Sequence, residues 1–134
     1  MKKVLFLGAS GLIGPYLTPG LEGHYDLKLT DVKPHPDGRP IDTLDVRSYE
    51  QMLEGARGMD AIVNFTVVRN HPVDSFHVNT LGAWNMMKAA AELGIGKVIH
   101  SGPQAVRSAY DHDFGVDDAP QAPGTGAYSL SKWL

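Results

Sequence analysis

The chain opens Lys2-Lys3-Val4-Leu5-Phe6-Leu7-Gly8-Ala9-Ser10-Gly11-Leu12-Ile13-Gly14. A short apolar run stops at a glycine-rich turn, and the turn leads into Leu12, Ile13, Tyr16 and Leu17 at helix-like spacing. The pattern predicts a strand, a tight loop and the start of a helix. Unpaired backbone N–H groups at a helix N-terminus carry partial positive charge, so that end welcomes an anion such as a phosphate. Glycines let the main chain turn sharply and come close to a ligand. The spacing is Gly8-x-x-Gly11-x-x-Gly14 rather than the stricter G-x-G-x-x-G, and taken alone it also reads as a simple turn.

Two features add weight. The motif begins the chain, and Asp31 closes the next apolar run, Tyr25-Asp26-Leu27-Lys28-Leu29-Thr30. A dinucleotide fingerprint places an Asp or Glu roughly 20 residues beyond the glycines, at the ribose hydroxyls.

Composition narrows the class. With 134 residues, 43% hydrophobic and 20% charged, the chain is long enough for one domain with a real core and reads as globular. A formal net charge of -3 with no block of Lys or Arg gives no reason to expect nucleic acid. There is no cysteine, so a disulfide framework and a thiolate metal site are both excluded. The opening apolar run is too short for a signal segment and no run approaches a membrane span, which makes a cytoplasmic protein the expectation. The six histidines are scattered without a metal-ligand spacing, so no metal site is expected.

Along the chain, strands alternate with helices. Pro15 suits a first helical turn, while Pro19 predicts a short or kinked helix ending near Gly20 to Gly23. The second strand covers about Asp26 to Asp31, followed by a loop from Lys33 to Pro40. A short strand is expected over Ile41 to Val46. Ser48 then caps a helix, with Gln51 as its capping-box partner. Met59 to Val67 is an apolar run around Asn64, as expected for a strand covered on both faces. Ser75 to Leu93 reads as one long helix, Lys97 to Ser101 as a fifth strand, Gly102 to Gly126 mostly as loop, and Ala127 to Leu134 as the first turns of a helix. The alternation predicts an α/β fold, a Rossmann-type parallel sheet with helices on both faces and the ends of strands one, four and five along one rim.

The last helix carries Tyr128 and Lys132 four apart, hence on one face. A free tyrosine titrates near pH 10, and a neighbouring ammonium with an oxidised nicotinamide would lower that value. Tyr128 could then take the proton of a substrate hydroxyl while hydride leaves for a cofactor. The pair also reads as an exposed helical pair.

Taken together, these residues resemble the N-terminal part of an extended short-chain dehydrogenase/reductase of the NAD-dependent epimerase/dehydratase family. The resemblance rests on Gly8/Gly11/Gly14, Asp31, Asp45-Val46, Asn79-Thr80-Leu81-Gly82-Ala83-Trp84-Asn85, and Tyr128 with Lys132. The lead-in Asp117-Asp118-Ala119-Pro120 with Pro123 is similar as well. The resemblance implies that Gly8, Gly11 and Gly14 wrap the pyrophosphate, with backbone contacts from Leu12 and Ile13. It implies that Asp31 takes the adenosine ribose hydroxyls and favours NAD, with Lys33 leaving NADP open. Asp45 and Val46 would border the adenine, and Phe65 and Thr66 would line the cofactor. Asn79 would support the proton path, and Lys132 would hold the nicotinamide ribose. Asp45 also reads as a turn residue, and Asn79 as a helix residue bonding a neighbouring loop.

Two departures stand out. The family ends its fifth strand with a Ser or Thr that bonds the reacting oxygen, and that position falls here on Pro103. Ser101, two residues earlier and on the same strand face, is the candidate substitute, or else a strand-end cap. Where the family often has Tyr-Gly, this chain has Arg107-Ser108. The chain also ends inside a predicted helix, just after Trp133, which reads as an incomplete NAD(P)-binding domain lacking the C-terminal substrate-binding part. Exposed apolar surface would then want a partner, and a homodimer is one form of it. The expected function is hydride transfer from a hydroxyl-bearing carbon of a small-molecule substrate, by resemblance a nucleotide sugar, with Tyr128 as base. The alternatives are a non-catalytic NAD(P)-binding or sensing relative, and a flavodoxin-like domain for another ligand.

Overall fold

The computed structural model describes residues 1–103 and 124–134. The expected loop between Gly102 and Gly126, the Asp117–Pro120 lead-in, Pro123, and Arg107-Ser108 fall mostly or wholly outside the described residues. The described elements are β1 (Lys2–Leu7), α1 (Gly14–Leu21), β2 (Tyr25–Asp31), β3 (Asp42–Thr43), α2 (Tyr49–Ala56), β4 (Ala61–Asn64), a π-helical segment (Phe76–Leu81) running into α3 (Gly82–Leu93), β5 (Val98–His100) and α4 (Ala127–Trp133).

The strands form one sheet in the order β3-β2-β1-β4-β5. Every pairing is parallel, with Phe6 opposite both Leu29 and Val63, and Val63 opposite Ile99. This is the doubly wound arrangement that the alternating pattern predicts. Because β1 pairs on both edges, the glycine turn after Leu7 leaves the sheet at its centre, beside the ends of β2 and β4. Chain reversal between β1 and β4 therefore creates the crevice in which such sheets take ligands.

One face of the sheet carries the main core. Leu5, Leu7 and Ile62 point to Met52 and Ala56 of α2 and to Met86, Ala89 and Ala90 of α3. The other face holds Phe6, which is fully buried and stacks on Phe65 with ring centroids 5.7 Å apart. There α1 contributes little cover: it spans 8 residues, contains Pro19, and buries only Gly14 and Thr18.

The structure differs from the sequence reading in four places. β3 is shorter than Ile41 to Val46, because the chain turns into the α2 cap once Leu44 N–H has bonded Asp31 O at 3.2 Å. β4 stops at Asn64, whose side chain turns back on Thr66. The Ser48 cap forms, its Oγ accepting from Gln51 N–H at 3.3 Å, but the reciprocal arm goes elsewhere: Gln51 Oε1 accepts from Asp45 N–H at 2.8 Å. Finally, the stretch expected as one long α-helix begins as the π-helical segment, and Asn79 there is turned into the protein.

Candidate functional site

The glycine loop is shaped by close approach. Gly8 has φ of 86°, and a Cβ on it would lie 2.7 Å from Phe65 C and Thr66 N. Only glycine lets β1 finish this near the main chain that follows β4. Gly8 and Ala9 N–H both donate to Thr30 O, at 3.0 and 3.1 Å, locking the turn to β2. A Cβ on Gly14 would meet Ala9 O at 2.5 Å, so α1 starts directly against the loop. Gly11 is exposed, and the sole close neighbour of a Cβ there is Gly8 O at 3.3 Å. Leu12 and Ile13 point their side chains outward, which leaves the main chain as what this turn offers a ligand. Pro15 has no N–H, and Tyr16 and Leu17 N–H donate to Ile13 O at 3.0 and 3.2 Å, so the donors left at this turn among the described residues are the N–H groups of Leu12, Ile13 and Gly14. Main-chain donors, no interposed side chain and an open approach fit a diphosphate.

Asp31 ends β2 half-buried and binds the loop. Its carboxylate accepts from Ser10 N–H at 3.0 Å, Val32 N–H at 2.7 Å and Lys33 N–H at 3.2 Å. Ser10 Oγ adds a hydrogen bond to Lys33 O at 2.9 Å. A carboxylate offers about four acceptor sites, so roughly one remains for a ligand hydroxyl. Asp45 follows β3 and is gripped by Arg47, whose Nη2 lies 2.7 Å from Oδ2. That hydrogen bond holds the Asp45 carboxyl below its ordinary range. Val46 beside it is buried. One cleft is walled by Gly8, Gly11, Asp31, Asp45, Val46, Phe65 and Thr66 together.

Thr66, in the wall of that cleft, also meets a second cluster. Lys132, only 7% exposed, donates to Thr66 O at 3.0 Å, Ser101 O at 3.2 Å and Ser101 Oγ at 3.2 Å. An ammonium has three protons, so this one is committed within the protein: it pins α4 to the ends of β4 and β5. Burial, then the charge of Arg69, pushes Lys132 down to about 8. Asn79 clips the same region. Its Oδ1 accepts from Val68 N–H at 3.0 Å, and its Nδ2 donates to Val68 O at 2.8 Å and Ser131 Oγ at 2.9 Å. Thr80 Oγ1 adds Ser131 O at 2.7 Å. Asn79 thus bonds both a neighbouring loop and the Tyr128/Lys132 helix. Tyr128 is half-buried with the Arg69 guanidinium 4.9 Å from its ring centre. Among the described residues, nothing hydrogen-bonds its hydroxyl.

Sequence reasoning missed several groups here. Arg69 lies between the apolar run that ends at Val67 and the helix expected from Ser75, in a polar stretch with no motif. Thr80 and Ser131 carry no spacing signal of their own, although Ser131 lies between Tyr128 and Lys132. Asn64 is buried at 1% exposure and holds Thr66 N–H at 2.9 Å and Thr66 Oγ1 at 2.7 Å, with its Nδ2 3.1 Å from His100 Nδ1. Asn64 Oδ1 is taken by Thr66, so its Nδ2 donates and His100 Nδ1 accepts; desolvation first, and the Lys132 charge second, shift His100 below its ordinary value.

A parallel sheet with a glycine turn after its central strand and a cleft across its strand ends defines a Rossmann-type dinucleotide-binding fold. The chain belongs to the NAD dependent epimerase/dehydratase family, whose family model matches residues 4–134. Among curated proteins it is 32% identical to the uncharacterized protein YtbQ of Bacillus subtilis, over 100% of this chain and 56% of that one. Among solved structures, uronate dehydrogenase from Agrobacterium tumefaciens superposes with a TM-score of 0.79 at 24% identity, over 99% of this chain and 52% of that chain. UDP-glucose 4-epimerase from Bifidobacterium longum, in complex with NAD+ and UDP, gives a TM-score of 0.82 at 19% identity, over 98% of this chain and 46% of that chain. The chain thus spans about half the length of these relatives. Among the described residues no helix is long and apolar enough to cross a membrane, and no group of His, Asp or Glu is placed to hold a metal ion.

Proposed function

We propose that residues 1–134 form the NAD-binding part of an oxidoreductase of the epimerase/dehydratase type, acting on a hydroxyl-bearing carbon of a small molecule, with a nucleotide sugar or a related sugar as the substrate class. The observation that carries this reading is the position of Thr66. It walls the cleft that holds the glycine loop and Asp31, and its C=O accepts from the Lys132 ammonium, which ties the helix bearing Tyr128 to that wall.

The glycine loop would hold the diphosphate through the main-chain N–H groups of Leu12, Ile13 and Gly14, with Gly8 and Gly11 giving the close approach. Asp31 would offer its remaining acceptor site to the adenosine ribose and repel a 2'-phosphate, which favours NAD; Lys33 keeps NADP within reach. Asp45 and Val46 would border the adenine, and Phe65 and Thr66 the middle of the cofactor. Bound NAD would supply a hydride acceptor. Tyr128, its hydroxyl uncommitted among the described residues, would take the proton of the substrate hydroxyl as hydride departs from the same carbon, leaving a carbonyl. Lys132 would fix the height of α4 over the cleft, and its protonated state would stabilise a phenolate at Tyr128. To hold a ribose it must release one of its present acceptors, and Ser101 Oγ is the one that can rotate away. Ser101 would then be free to bond the reacting oxygen in place of the hydroxyl that Pro103 cannot supply. Asn79 would support this arrangement by holding Val68 and Ser131.

Tyr128→Phe separates this reading from its rival. NAD affinity should stay within about twofold while turnover falls about 10²–10⁴-fold, the usual worth of a positioned acid–base group. The rival is a non-catalytic NAD(P)-binding relative, favoured by Pro103 and by the internal commitment of Lys132. It predicts NAD binding by both forms and turnover by neither.

A further inference from the structure

The loop after β4 presents a cation that no part of the scheme above uses. Arg69 follows Val68, whose N–H and C=O are both held by Asn79, and Asn79 also holds Ser131 of α4. The clip fixes the Arg69 backbone against the helix that carries Tyr128. The guanidinium lies over the Tyr128 ring at 4.9 Å. A cation over a ring face is held by the ring's charge distribution and need not spend N–H donors there, which leaves them for an acceptor.

Those donors have no acceptor among the described residues. The carboxylate in the same loop, Asp74, faces Arg47 at 3.9 Å and His71 at 3.6 Å. Lys132, the other cation beside Tyr128, gives its protons to Thr66 and Ser101. A fork of N–H donors set over the candidate base, with no carboxylate partner among the described residues, matches the geometry of a ligand oxyanion. The Arg69 charge also bears on the Lys132 ammonium, so an arriving anion would ease the repulsion between the two cations.

We propose that Arg69 binds an oxyanion of the substrate, a carboxylate or phosphate carried close to the carbon whose hydroxyl meets Tyr128. This rests on the Proposed function above, since it presumes that the substrate lies against Tyr128. Arg69 thereby selects acidic sugars over neutral ones, and it acts on binding rather than on proton transfer.

The test is titration of the NAD-saturated protein by NMR with galacturonate, galactose 6-phosphate and galactose, in the wild type, Arg69→Ala and Arg69→Lys. In the wild type, one of the acidic sugars should bind at least tenfold more tightly than galactose, and which one it is identifies the anion. Arg69→Ala should abolish that preference without changing NAD affinity, and Arg69→Lys, a point charge without the fork, should restore part of it. Equal binding of the three sugars, no binding of any, or a preference that survives Arg69→Ala overturns the proposal. Failure of the wild type to bind NAD overturns the underlying functional reading; intact NAD binding with no acid preference overturns the Arg69 proposal alone.

Discussion

At Gly8 the position of one hydrogen decides whether β1 can end where it does. A methyl group would need both an unfavourable left-handed backbone and space already held by the main chain of Phe65 and Thr66. Neither obstacle is the movable tip of a side chain. Gly8→Ala should therefore cost about 2–4 kcal/mol, read as a lower urea midpoint, and should weaken NAD binding because the turn must reopen. Lys132 poses a different single-residue problem. Its folded pKa, about 8, lies below the ordinary 10.5. Below pH 8 the folded and unfolded states are both charged, and the folded one pays for it. Between about pH 8 and 10.5 the unfolded chain binds more protons, so stability rises with pH. The unfolding free energy of the wild type, taken relative to Lys132→Met, should increase over that window in paired denaturation curves. A flat difference would show that the ammonium is as well solvated as in the unfolded chain.

The π-helical segment shows what an element can hide. Phe76, Val78 and Leu81 satisfy an α-helical reading of Ser75 to Leu93 well enough, because a wider turn leaves no residue-type signature. Its mark is in the hydrogen bonds, and such wider turns recur at functional sites. Here Asn79 and Thr80 together reach Val68 and Ser131. Asn79→Leu keeps the volume roughly but leaves the N–H and C=O of Val68 without their partners, a loss of about 2–4 kcal/mol. It should lower the melting temperature and loosen α4, which amide exchange at residues 128–132 would report. Elements with strong local grammar were legible by contrast. The Ser48 cap, the glycine-bounded first helix and the apolar run of β4 each follow from residues within a few positions. The second arm of the Ser48 cap was not, since Gln51 chose between two nearby backbone donors whose placement depends on β3.

For the molecule as a whole, alternation of strand and helix was enough to foresee a parallel sheet with the ends of β1, β4 and β5 along one rim, and so Gly8 beside Thr66. Arg69 could not be foreseen, because its partner lies beyond a long intervening stretch and a guanidinium in a polar loop is ordinary. The same holds for Asn64 with His100. Their pairing follows only from the register of β4 on β5, which no local pattern encodes. Chemistry carried by spacing within one element could be read, and chemistry assembled across elements could not.

The central place of β1 carries a temporal consequence. As the chain leaves the ribosome, β1 finds β2 after a short wait but must remain half-paired until Ile62 arrives beside Leu5. The crevice closes later still, when Lys132 reaches back to Thr66. Synthesis therefore delivers the glycine turn well before the helix that ties back to Thr66, and any nascent chain caught between those moments exposes an unfinished seam to its surroundings.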